Sequence, residues 1–165
     1  AIIKRMELFG LELSKEKTRI LPFGRNCGTR ETFDFLGFTH FNSKTRKGYY
    51  TVGHKISRKK KKQFKSNLKK WVKENRNKQF DEFMKKLNKK LTGSFNYYSL
   101  SGMIKEVRSL WHHSLFVTFK WLNRRSQRRS FKLERFYEIW DDLIVHPYIH
   151  VDIWSGDKVI YNKNV

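Results

Sequence analysis

From Ser57 onward, apolar residues recur three and four apart, the spacing of one face of an α-helix. Phe64, Leu68, Trp71 and Val72 form a first stripe, and Phe80, Phe83, Met84, Leu87 and Leu91 a second, which Gly93 is expected to end. A third, capped by Ser99 or Ser101, runs through Ile104, Val107, Trp111, Leu115, Thr118 or Phe119, and Leu122, and reads as the longest element. A fourth, capped by Ser130 and closed by Pro147, turns Leu133, Phe136, Tyr137, Trp140 and Ile144 inward. Stripes of this kind close on each other. Residues 57–147 are therefore expected to form a mainly α-helical bundle.

Residues 1–56 follow another pattern. The chain opens without Met, and Ile2, Ile3, Met6 and Phe9 before Gly10 read as the last turns of a helix whose start is missing, so the chain looks like a fragment. "LELSKEKTRILPFG" and "TFDFLGFTHF", bounded by Pro22, Gly24 and Gly28, favour strands. "NSKTRKG" reads as a turn and "YYTVGHKIS" as the returning strand of a hairpin. The fold class is thus α+β: a short β-hairpin segment, too small to form a sheet of its own, followed by helices. Residues 148–165 alternate weakly, enough for one hairpin, and take no firmer assignment than a C-terminal extension.

Charge narrows the partner. Against 15 Asp and Glu stand 37 Lys and Arg, a formal net charge of +22, which points to nucleic acid. A disordered basic tail would be poor in aromatics, whereas 14 Phe, 7 Tyr and 5 Trp suffice for a core. The single cysteine, Cys27, excludes an intrachain disulfide and a multi-cysteine zinc site, and fits a reducing cytoplasm, the expected location. No apolar run approaches the roughly 18 residues of a membrane span, and a membrane-surface protein would show one amphipathic helix instead of several aromatic-rich segments.

The basic residues cluster. "RKKKKQFKSNLKK" contains no acid and contributes Arg58, Lys59, Lys60, Lys61, Lys62, Lys65 and Lys69. "FKWLNRRSQRRSFKLERF" places Arg124, Arg125, Arg128 and Arg129 at i, i+1, i+4 and i+5, so that a continuing helix would stack them on one side, facing outward. The ordinary reading of a charge run is a solvated helix face. Repulsion on this scale instead favours a polyanion, with Arg forking onto phosphate oxygens and Lys adding point charge, and the two patches read as two sides of one groove.

Other chemistry finds little support. His112 and His113 are adjacent, so their side chains diverge by about 100° on a helix. His146 and His150 are interrupted by Pro147, and Cys27 has no acid–base partner nearby in sequence. Asp141 and Asp142 form the only adjacent aspartate pair, read as a solvated helix face or arginine partners.

Four blocks, "GLELSKEKTRI" followed by "FDFLGFTHF", then "KKLNKKLTGSFNYYS", then "LFVTFKWLNRRSQRRSF", resemble in order and spacing the C-terminal part of a bacterial group II intron reverse transcriptase and maturase. The resemblance spans residues 1 to about 147. It implies that residues 1–56 are the end of the palm, that 57–147 are the thumb, or domain X, and that Lys17 falls within the block closing the palm. It implies that Phe35, Leu36, Gly37 and Phe38 grip the primer strand. It also implies that Asn96, Tyr97 and Tyr98, with Asn123, Arg124, Arg125 and Ser126, hold the template–primer duplex and contact intron RNA, one of the two tyrosines serving the core. Ser94 and Phe95 depart from the family, which commonly has a large residue such as Trp there, and no family pattern follows Pro147.

The catalytic block ending in two aspartates is absent and is expected before Ala1; the paired cysteines and histidines of a downstream nuclease module are absent too. The expected function is RNA binding that assists splicing and reverse transcription, non-catalytic alone. No cofactor is expected for this chain, Mg2+ belonging to the parent polymerase. The implied partners are group II intron RNA, an RNA/DNA template–primer duplex and the missing fingers and palm, with no membrane. The competing readings are a stand-alone structural RNA-binding protein and one half of a split polymerase completed by another chain.

Overall fold

A helix at Ile2–Leu8 (α1) buries no residue and ends near Gly10, whose φ of +67° suits a helix stop. The computed structural model describes residues 2–14, 16, 18–28, 30–125 and 130–148. Lys17, Ser126, Arg128, Arg129, His150 and the C-terminal hairpin therefore lie outside the described residues. Among the described residues between Gly10 and Gly24 the expected strand does not form, and Ile20 is 98% exposed.

Three strands follow, Thr32–Phe35 (β1), Phe38–Lys44 (β2) and Tyr50–Ile56 (β3), in an antiparallel sheet of order β1-β2-β3. This corrects the expectation that the segment is too small for a sheet. "TFDFLGFTHF" is two strands because Leu36 and Gly37 both take positive φ, 49° and 84°, the geometry of a two-residue hairpin turn. Leucine in that region costs roughly 1–2 kcal/mol, and nothing in its chemistry announces a turn. The turn between β2 and β3 is as expected: the Thr45 N–H donates to the Tyr49 carbonyl at 2.8 Å and Gly48 supplies the left-handed residue.

Four helices complete the α+β fold. In Arg58–Asn75 (α2), Ser57 caps the first turn by accepting from the Lys60 N–H at 3.4 Å. In Phe80–Tyr98 (α3) the helix passes through Gly93 instead of ending there, because Leu91, Phe95 and Tyr98 carry the apolar stripe one turn further. Ser99 is its C-cap, donating from its hydroxyl to the Phe95 carbonyl at 2.6 Å. Ile104–Leu122 (α4) starts at Met103, and neither Ser99 nor Ser101 caps it; its 19 residues equal those of α3. Leu133–Leu143 (α5) starts at Lys132, not Ser130, and is followed by extended Ile144 ahead of Pro147.

The chain divides into two compact units, residues 1–33 with 41–52 and residues 34–40 with 53–165. In the first, Phe23 meets Phe33 edge to face at 4.9 Å and the Tyr50 hydroxyl reaches Asn42 at 2.9 Å. In the second, Phe83, Leu87, Leu91, Val107, Leu110, Leu115, Phe136 and Trp140 are fully buried in one core to which Phe38 and Ile56 also belong. Each such side chain contributes about 1.5–3 kcal/mol by leaving water. Within this unit α2 and α4 pack along each other. Lys61 meets Glu106 near their starts and Arg76 stands over Trp121 at their ends, both pairs 45 residues apart. A constant offset means the two helices run in the same direction and stay in register over about 22 Å. Among the described residues no helix is long and apolar enough to cross a membrane.

Candidate nucleic-acid interface

The basic face of α2 is not uniform. Lys61 gives its charge to Glu106, Nζ to Oε2 at 2.8 Å. Lys60 lays its stem on Gly37: a Cβ there would stand 3.3 Å from Lys60 Cγ, a tight contact that the lysine chain would have to yield to. Arg58, Lys59, Lys62 and Lys69 are exposed, while Lys65 is half-buried near His113. Burial first, and the Lys65 charge second, hold the His113 imidazole below its ordinary range.

Past α4, Arg124 and Arg125 do not continue the helix, and Arg128 and Arg129 lie outside the described residues. Asn123 is the C-cap, its N–H donating to the Phe119 carbonyl at 3.1 Å, and its side-chain amide turns to Phe131. Arg124 is exposed, its guanidinium 5.3 Å from the Trp121 ring centroid. Arg125 does not face outward as expected. Its Nε and Nη2 are buried without a hydrogen-bond partner among the described residues, and burial lowers its pKa. Its chain turns inward because the helix has already ended. Of this pair, Arg124 is exposed and Arg125 is not.

Two patches distant in sequence meet in a cleft of about 490 Å³ lined by Lys69 and Lys73 of α2 and by Val117, Lys120, Trp121 and Arg124. Lys73 Nζ and the Arg76 guanidinium stand 5.9 and 5.3 Å from the Trp121 centroid, beside Arg124. Among the described residues no carboxylate lines the cleft. Sequence reasoning missed Lys73, Arg76, Lys120 and Trp121. The signal for the first two was present, since Lys62, Lys65, Lys69, Lys73 and Arg76 repeat at helical spacing along one face.

The hairpin turn and "NYY" also come together. Phe35 and Leu36 are exposed, whereas Phe38 is buried against Tyr97, stacked at 5.5 Å, and Tyr98, edge-on at 5.6 Å. The Tyr97 hydroxyl donates to the Leu36 carbonyl and the Ser57 N–H to the Gly37 carbonyl, so the strained turn is held from two sides. Tyr98 is buried, Tyr97 half-exposed and Asn96 exposed.

Asp141 and Asp142 do not suit a magnesium clamp. The Asp141 carboxylate lies 3.0 Å from His146 Nε2, and adjacent helical positions diverge by about 100°. The described residues hold no cluster of three metal-ligating side chains. Cys27 is exposed.

Comparison with protein families matches residues 61–139 to the group II intron, maturase-specific domain. Comparisons with curated proteins and with solved structures give no match. The matched stretch begins on the basic face of α2, includes all of α3 and α4 with Arg124 and Arg125, and ends within α5. It links the chain to a maturase-related role in group II intron splicing. Residues 61–139, just under half of the chain, are thus similar to the group II intron, maturase-specific domain, in keeping with a C-terminal maturase fragment.

Proposed function

We propose that the chain binds group II intron RNA, and the RNA/DNA template–primer duplex of reverse transcription, through their phosphate backbones, with no covalent chemistry of its own. The observation carrying this is the convergence of the α2 lysines and Arg124 on one cleft that no carboxylate lines among the described residues. A-form duplexes hide their base edges in a deep groove, so a rigid cationic surface reads phosphate spacing and shape. On the same reading Phe35 and Leu36, held out on a braced turn, rest against the primer strand. Nucleotide addition and its magnesium ions belong to a separate catalytic portion.

Titration of the full chain with a structured group II intron RNA at three salt concentrations tests this. Neutralising about 6–10 phosphates predicts a loss of roughly a thousandfold or more in affinity between about 50 and 200 mM salt. Accelerated splicing of that RNA at limiting magnesium is the functional counterpart. Failure to bind, or binding indifferent to salt, overturns the proposal.

A further inference from the structure

The groove between α2 and α4 is compensated at one end and not at the other. At its start Glu106 neutralises Lys61. At its far end Lys69, Lys73, Arg76, Lys120 and Arg124 gather, none of them in an ion pair among the described residues. Three stand within 6 Å of one indole centroid, hence within about 12 Å of each other, too close for a Debye length of about 8 Å to screen fully.

Helix ends explain part of this. Both α2 and α4 end here, and each C-terminus carries about half a negative charge, roughly one unit together against five cations. The indole face attracts cations but carries no net charge. About four positive charges remain for a ligand.

We propose that this end of the groove is a clamp for consecutive backbone phosphates, and that Trp121 is a positioning residue that gathers the cations and is not a platform for a stacked base. This rests on the RNA-binding reading above. Five cations spread over two helices suit a polyanion better than a single ion. Lys73, Arg76 and Arg124 all stand over the indole ring, leaving a base to compete with them for its faces. The protein supplies a carboxylate where the groove begins and leaves the ligand to supply the anions where it ends.

The test uses the full chain, a fluorescent RNA hairpin, and inorganic polyphosphate as a competitor without bases. K73Q/R76Q/R124Q should lower the salt slope of hairpin binding by about 2.7, roughly 0.9 per phosphate contact. The charge-matched triple K85Q/K89Q/K90Q, on exposed positions of α3, should lower it by less than about 1. Equal slopes for the two triples overturn the clamp, since net charge alone would then matter. R124Q alone, at an exposed site, should lower the slope by about 0.9 and keeps the question open to refutation if the triple loses its helical circular dichroism. W121L should weaken hairpin and polyphosphate binding by the same factor, with W121F restoring both. Loss of hairpin binding alone would make Trp121 a stacking platform and overturn its positioning role. A wild-type chain that binds no RNA defeats the underlying reading, whereas binding with an unchanged slope in the first triple defeats only the clamp.

Discussion

Asn123 and Phe131 are joined by two hydrogen bonds: the Phe131 N–H donates to Asn123 Oδ1 at 2.9 Å, and Asn123 Nδ2 donates to the Phe131 carbonyl at 3.1 Å. One side chain thus closes both ends of the connection from α4 to α5. Asn123→Ala removes both bonds and no charge. It should cost about 1–3 kcal/mol of stability, read from urea unfolding, and should weaken RNA binding although every arginine remains. Unchanged affinity would show that the clip serves the fold alone.

Leu36 sits at φ +49° and is 68% exposed, so its side chain contributes little burial to offset the strain. Asn tolerates this region, and Asn-Gly is the favoured pair for such a turn. Leu36→Asn should therefore raise the melting temperature, by a gain of about 1 kcal/mol, while the Tyr97 contact to the backbone carbonyl persists. If the exposed leucine grips the primer, affinity for an RNA/DNA duplex should fall in the same variant. A more stable protein with unchanged duplex affinity would remove Leu36 from the interface.

Gly93 lies inside α3 with nothing within 4 Å of where a Cβ would stand. Gly93→Ala should stabilise by about 0.5–1 kcal/mol, because alanine loses less backbone entropy in a helix. Thermal unfolding decides it, and destabilisation would mean that the α3 helix does not continue through this position.

Acid should destabilise the fold through two histidines. Burial, then His40, lowers the pKa of His54, and burial, then Lys65, lowers that of His113. His54 and His40 face each other with Nδ1 atoms 2.8 Å apart, a pair that needs at least one neutral ring. With the folded pKa below the unfolded value of 6.5, the unfolded chain binds more protons between the two. Stability is then complete above 6.5 and is lost as pH falls from there towards the folded values. Melting temperatures of wild type and H54Q/H113Q across this window should converge as pH falls. Parallel curves would exclude both groups as the cause.

Periodicity determined much of this protein in advance. The stripes of Leu68 and Val72, of Phe83 and Leu87, of Val107 and Leu115, and of Phe136 and Trp140 are all buried, because burial of one helical face depends on spacing a few residues long. The β2–β3 hairpin was equally legible from its polar turn and Gly48. The same local logic erred where a residue's type misdescribed its position: Leu36 hides a turn, Gly93 does not stop a helix, and Ser130 is not the cap of α5. The site was read from the sequence as two basic patches on two sides of one groove, without the side chains that meet there. Lys73, Arg76 and Arg124 meet at Trp121 only because α2 and α4 lie in register 45 residues apart, and Arg125 turns inward only because α4 stops at Leu122. Local spacing sets which face of a helix is buried; the packing of two helices sets which charges are brought together, and no window of sequence shorter than their separation contains that.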